Sequence, residues 1–195
     1  MVYSDAPVSF YRVRIYRRAA ALIFGCAGIA AASAATAPPI TNTYITLALP
    51  GVVGDFTAVP NAPANAIQVL AMSLGASCAA PAVSCNVQDI SIMKQVDSAS
   101  PALFLALLTG PTIYATAIFN FWQTPATGTN YTKTFTIYLT QASLSSVQNS
   151  ASEGGSGPTE SLSLRFQTIA VQDNLSGTVG CYNVTTKAAS RSLTC

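Results

Sequence analysis

Along most of this chain apolar and polar residues alternate in short runs, and the runs are separated by Gly, Pro and Asn. Thr43 to Leu49 alternates and stops at Pro50-Gly51, the pattern of a half-buried strand followed by a turn. A loop rich in Gly, Pro, Ala and Asn, with Asp55 in it, covers Val52 to Ala66, and Ile67 to Leu74 forms a second β-type run that ends at Gly75. Val87 to Val96 resumes the alternation through Ile90 and Ile92. Thr112 to Trp122 and Thr132 to Leu139 are longer and read as a hairpin, with Phe135, Ile137 and Leu139 on one face and Thr134, Thr136, Tyr138 and Thr140 on the other. Leu144 to Val147 extends the sheet, and Asn149 to Pro158 is a Gly and Ser linker. Glu160 to Val171 sets Leu162, Leu164 and Phe166 against Ser163, Arg165 and Gln167. The polar tail carries turn signals at Gly177 and Gly180 and a short strand around Tyr182 to Val184.

One segment breaks the pattern. Ser100-Pro101-Ala102-Leu103-Phe104-Leu105-Ala106-Leu107-Leu108-Thr109-Gly110 predicts a helix. Ser100 suits the N-cap, Pro101 the first helical position, and Gly110 the left-handed residue that ends it. Being apolar nearly all round, the helix is expected to be buried on most sides, with Leu103, Phe104, Leu107 and Leu108 in the interior. About seven or eight strands and one helix make a mainly β fold, an antiparallel barrel or sandwich with one short α-helix.

Half of the 195 residues are hydrophobic, enough for one domain with a real core, while only 8% are charged. Ser, Thr, Asn and Gln must therefore carry the surface. No histidine occurs, which removes the commonest general base, the commonest zinc ligand and every Ser-His-Asp or Cys-His arrangement. The candidate acids are scattered. Lys94 with Asp97 reads as a surface ion pair ahead of the helix, and Glu153 and Glu160 flank a loop without catalytic spacing. No catalytic, cofactor or metal residue is predicted, and the chain is read as non-enzymatic. Four of the nine basic residues, Arg12, Arg14, Arg17 and Arg18, fall in the first eighteen positions; from residue 35 onward five basic face six acidic residues, a balance of −1. Nucleic acid is excluded as a partner, because phosphate recognition needs a clustered positive face.

Those arginines precede an apolar run, Ala19 to Ala32, and a small-residue stretch beginning at Ser33-Ala34. This is the layout of a signal peptide over residues 1–34. Cleavage is expected after Ala34, since the alternative cut after Ala37 would place Pro38 directly behind the scissile bond; retention as an anchor is the remaining reading. Export makes the mature product secreted or periplasmic, with no stable membrane insertion once the leader is gone, and gives Cys78, Cys85, Cys181 and Cys195 an oxidising environment. Three disulfide pairings are possible, of which the local one, Cys78 with Cys85 and Cys181 with Cys195, has the least loop closure to overcome. A four-thiolate zinc site lacks the close spacing that lets two thiolates grip one metal from a single turn. Residues 35–172 are then the β-domain and 173–195 a polar C-terminal extension held by a disulfide. Asn-x-Ser/Thr triplets at Asn130, Asn174 and Asn183 are what chance supplies in so Asn- and Ser-rich a chain.

Two segments are more specific: VQDISIMKQVDSASPALFLALLTG at 87–110 and FTIYLTQASLSSVQNSASEGGSGPTESLSLRFQTI at 135–169. A strand reaches a lysine and an acidic residue, then Ala-Ser-Pro, then a short apolar helix ending at Gly110; later come a Gly and Ser loop and Pro158-Thr159-Glu160-Ser161-Leu162-Ser163. In order and spacing this resembles the haemolysin-coregulated protein family, the tube protein of type VI secretion systems, over roughly residues 43–171. Weaker likeness lies at Gly51 to Thr57 and Ile67 to Gly75. The resemblance implies a small β-barrel flanked by one helix, assembling with copies of itself into hexameric rings that stack into a hollow tube around secreted effector or toxin cargo, with no cofactor. A monomeric secreted domain that keeps the fold as a binding module is the alternative. The family's protruding loop, which reaches a neighbouring subunit, corresponds to Gly75-Ala76-Ser77-Cys78-Ala79-Ala80-Pro81-Ala82-Val83-Ser84-Cys85-Asn86, short here and bracketed by cysteines. Leader, paired cysteines and low charge all depart from the family and agree with life outside the cytoplasm.

Overall fold

A computed structural model describes residues 40–57, 59, 62–79, 85–110, 112–125, 130–155 and 157–195. All lie in one unit, Ala37–Cys195. The expected leader at 1–34 and Ala80, Pro81, Ala82, Val83 and Ser84 of the candidate loop fall outside them. In chain order the elements are β1 (Ile40–Ala48), β2 (Ile67–Val69), β3 (Ala71–Ser73), β4 (Ala76–Cys78), β5 (Cys85–Val87), β6 (Ile90–Gln95), α1 (Ser100–Leu108), β7 (Tyr114–Pro125), β8 (Thr132–Ser150), β9 (Thr159–Arg165), β10 (Thr168–Asp173), β11 (Val179–Asn183) and β12 (Ala189–Ser190).

The strands are antiparallel, and the mainly β, one-helix expectation holds. Ten of them share one hydrogen-bonded sheet. Its organiser is β8, whose 19 residues absorb both Thr132 to Leu139 and Leu144 to Val147. The first part of β8 pairs with β7 and β10, and from Ser143 onward it pairs with β9. The change of partners falls where Gln141 adopts φ 50° and the register slips between Leu144 and Ser146, a bulge that bends the strand and increases its twist. One long strand thereby serves two parts of the sheet.

Several predicted single strands are two strands. Ile67 to Leu74 divides at Leu70, so that β2 pairs with β1 and β3 with β6. Glu160 to Val171 divides at Phe166-Gln167 into β9 and β10, which lie on different stretches of β8. Alternation continues across each break because every piece buries one face, but the pairing partner changes. Leu47, Ile67, Ile90, Leu103, Phe119, Leu139, Leu162 and Leu164 form the fully buried centre of the main core. Phe56, Val59 and Trp122 form a smaller one, where the Trp122 indole N–H donates to the Thr46 hydroxyl at 3.0 Å. Gly54 is required where the chain folds back: a Cβ there would collide with the backbone carbonyl of Ala66.

The helix forms over the expected residues, and Gly110 follows it with φ 108°. Two expectations about it need correction. Ser100 does not cap it; the N-cap is Ala99, without a side-chain cap bond. Nor is it buried all round: Leu103 is fully buried and Leu107 half-buried, whereas Phe104 is 46% and Leu108 63% exposed. A helix lying on the flank of a sheet needs only one inward stripe. Here that stripe is Leu103, Ala106 and Leu107 against the core, and the opposite apolar stripe stays uncovered. Leu103→Asp is therefore expected to abolish folding, since an unpaired charge would enter the core. Phe104→Asp should change stability by only about 0.5 kcal/mol, the range of exposed substitutions. Thermal melts of the two variants check this.

Candidate functional site

On β6 buried and exposed residues alternate strictly, so Ile90, Ile92 and Lys94 share the inward face. On β9 the same alternation turns Glu160, Leu162 and Leu164 inward. The ladder between them places Lys94 directly opposite Glu160. The expectation of a surface ion pair at Lys94 is thus corrected: its side chain has no exposure, and neither has that of Glu160.

Such a charge survives inside only if its protons are accepted. Lys94 Nζ donates to Glu160 Oε2 at 2.7 Å, to Asp97 Oδ1 at 2.7 Å, to the Gln95 carbonyl at 2.7 Å and to Ser100 Oγ at 3.0 Å. Ser100 Oγ accepts also from the Asp97 N–H at 3.0 Å and donates to Glu160 Oε2 at 2.8 Å. Asp97 Oδ1 accepts from the Ala99 N–H at 2.9 Å. Strand, helix start and a strand from 66 residues downstream are thus joined at one ammonium group. Glu160 Oε1 is buried with no hydrogen-bond partner among the described residues. Of the two Glu160 oxygens, Oε2 alone receives both Lys94 and Ser100, and the arrangement presents no open nucleophile beside a base. It is a structural knot.

A second link steadies the same helix start from outside. Ser98 donates its hydroxyl to Asp55 Oδ1 at 2.5 Å and its N–H to Asp55 Oδ2 at 3.0 Å. These bonds, hydroxyl first and then N–H, hold the Asp55 carboxyl below its ordinary value, and the Lys94 charge acts in the same direction.

Candidate assembly residues occupy two other places. Phe104, Leu105 and Leu108 of α1, together with Ile113 just beyond it, stand exposed, and α1 has neither an acidic residue in its first turn nor a basic one in its last. The sequence had put Phe104 and Leu108 in the core; their exposure makes them a surface feature. The candidate loop opens as the hairpin β4–β5, a two-stranded sheet apart from the main one. Cys78 and Cys85 are partners across it with sulfurs 2.03 Å apart, and Cys181 and Cys195 have sulfurs 2.05 Å apart. Of the three possible pairings the structure has the local one.

A family model described as "Type VI secretion system effector, Hcp" matches residues 46–172. Among solved structures, Hcp1 from Salmonella typhimurium is 22% identical with a TM-score of 0.65, covering 77% of this chain and 100% of its own. A type VI secretion system effector from Yersinia pestis is 21% identical with a TM-score of 0.59, covering 72% and 99%. The secreted protein Hcp3 from Pseudomonas aeruginosa is 18% identical with a TM-score of 0.59, covering 73% and 99%. No curated protein matches the chain.

Two measurements test the knot. Glu160→Leu is expected to cost about 3–5 kcal/mol in urea unfolding, because Lys94 would keep its charge without its buried partner, whereas Lys94→Met with Glu160→Leu should recover most of the loss. The Asp55 link should be pH-dependent. Its carboxyl is depressed below 3.8 in the fold, so its contribution is complete above that value and is lost as pH falls through the lower, folded one. Asp55→Asn should melt below the wild type at pH 7, and the gap should close progressively as the melts are taken to pH values well under 3.8.

Proposed function

The chain belongs to the Hcp family of type VI secretion proteins, and we propose that it is an exported, disulfide-bearing member whose copies form hexameric rings that stack into a hollow tube carrying or surrounding secreted effectors. The family is one of tube-like structural proteins, and the mainly β fold with one flanking helix fits that role. The observation that carries the ring reading is the uncovered stripe of α1. A soluble monomer rarely leaves Phe104, Leu105, Leu108 and Ile113 exposed together without a partner for them. A neighbouring subunit would remove that surface from water. The outward face of β3, β6 and β9 bears Ser73, Ser91, Ser161 and Ser163, exposed or half-buried hydroxyls. The groove around these hydroxyls is uncharged, with exposed Arg165 at the end of β9, and an uncharged lining of this kind suits a lumen that must hold cargo without gripping it.

Export through the expected leader places the product outside the cytoplasm, in keeping with two disulfides. Among the described residues no helix is long and apolar enough to cross a membrane. The short, bridged loop favours a second reading, a monomeric secreted domain that acts as a binding module or toxin carrier.

Negative-stain microscopy and sedimentation velocity of the oxidised mature protein separate the two. Rings are expected, and Leu105→Glu with Leu108→Glu should convert them to monomers while leaving the melting temperature within a few degrees, since both side chains are exposed. Featureless small particles from the unmodified protein would establish the monomeric reading instead.

A further inference from the structure

The hairpin β4–β5 has no ladder to the ten-stranded sheet, and Ala76, Ser77 and Cys78 are exposed. A lone two-stranded hairpin is marginal by itself, and nothing in its own pairing decides which way it projects. The Gln88 N–H donates to the Gly75 carbonyl at 2.9 Å, which only extends the hairpin's own ladder, and beside it Asp89 Oδ2 accepts from the Ser145 hydroxyl at 2.6 Å. Two further bonds come from the far end of the chain. The Cys85 carbonyl accepts from the Tyr182 hydroxyl at 3.3 Å and from Lys187 Nζ at 3.3 Å. Between hairpin and tail lies an apolar groove of ≈ 360 Å³, lined among others by Leu74, Val87, Val171 and Tyr182. Across this groove the hydrogen bonds that join the two parts converge on the Cys85 carbonyl.

The turn that delivers Lys187 points the same way. It repeats the turn before it. Asp173 Oδ1 accepts from the N–H groups of Leu175 and Ser176, the Asp173 N–H reaches the Thr178 carbonyl, and Gly177 takes φ 73°. Ten residues on, Asn183 Oδ1 accepts from Thr185 and Thr186, the Asn183 N–H reaches the Ala188 carbonyl, and the residue in the left-handed position is Lys187, φ 60°. Glycine serves that conformation without strain, as Gly177 does, whereas a lysine must be held there. What it gains over glycine is the side chain that reaches Cys85. Tyr182 is held on β11 opposite Ile169 of β10, whereas the Lys187 turn leads only into β12, which is two residues long and pairs Ser190 with Cys181 and Ala189 with Tyr182; the Cys181–Cys195 bridge pins the chain end to β11.

We propose that residues 181–195 form a clamp that fixes the direction of the β4–β5 hairpin through the Cys85 carbonyl, and that the Cys181–Cys195 bridge, remote in sequence from the hairpin, keeps the Lys187 arm of this clamp closed. Reduction of that bridge alone then loosens the hairpin while Cys78–Cys85 stays intact. The device acts within one chain and does not depend on ring formation.

Amide hydrogen exchange resolved to Ser77, Asn86 and Gln88 tests it. Lys187→Gly relieves the strained turn, so the melting temperature should stay level or rise, yet hairpin exchange should quicken about tenfold, with β7 and β8 unchanged, for the loss of one charge-assisted hydrogen bond. Tyr182→Phe should act in the same direction. Cys181→Ser with Cys195→Ser should do so with Cys78–Cys85 still formed. Unchanged hairpin exchange in Lys187→Gly and Tyr182→Phe overturns the proposal, whatever the cysteine variant does. It is equally overturned if removing the Cys181–Cys195 bridge speeds exchange evenly through β7, β8 and the hairpin, for the bridge is then a staple of the whole fold.

Discussion

The ammonium group of Lys94 is the constraint on which much of the rest depends. Buried among isoleucines and leucines, it tolerates no position except one where carboxylates and hydroxyls converge. A slip of β6 against β9 by one residue would turn Lys94 outward, strand Glu160 opposite an apolar side chain and expose Ile90 and Ile92 together. Replacing such a pair by apolar residues is often neutral for stability, so its distinctive contribution is to register and to where the helix begins. Asp97 and Ser100, both partners of the lysine, lie at the turn from β6 into α1. Through Ser98 and Asp55 the loop after β1 is tied to the same place.

With so few charges on the chain, four of them, Lys94, Asp97, Glu160 and Asp55, are engaged in or beside that knot, and the outside is left largely to hydroxyls, amides and apolar side chains. Such a surface has weak electrostatic steering and weak salt dependence. Contacts with other copies would have to come from shape, from the exposed stripe of α1 and from the hairpin. Disulfides then do for the hairpin and the tail what ion pairs do elsewhere: each fixes a segment that has little core of its own to pack against.

Ser100 shows how a correct local signal can serve another purpose. Ser followed by Pro at the head of an apolar run marks a helix N-terminus, and the helix does start there. The hydroxyl, however, is turned into the interior toward Lys94 and Glu160, where a buried charge outbids the free N–H groups of the first turn. Likewise the apolar circumference of α1 announces burial, but one flank of a sheet covers one stripe only. The other stripe, Phe104, Leu105 and Leu108, is left exposed on the chain.

What the sequence by itself determined is what short-range order encodes. The alternation of β6, β8 and β9, the span of α1, the left-handed Gly110 and two cysteine pairs close enough to bond locally are all features of neighbouring residues. Even the buried pair left a trace, since Lys94 shares parity with Ile90 and Ile92, and Glu160 with Leu162 and Leu164; the sign of those side chains argued for the surface more loudly than their parity argued for the core. Only the tertiary structure decided which strands pair: that Lys94 meets Glu160, that β8 changes partners at Gln141, that Leu70 divides one run between two neighbours, and that Lys187 reaches Cys85 from 102 residues away. Periodicity tells a residue which side of its own strand is apolar. Partner choice is settled by how all the buried faces, and one buried charge, can be satisfied at once.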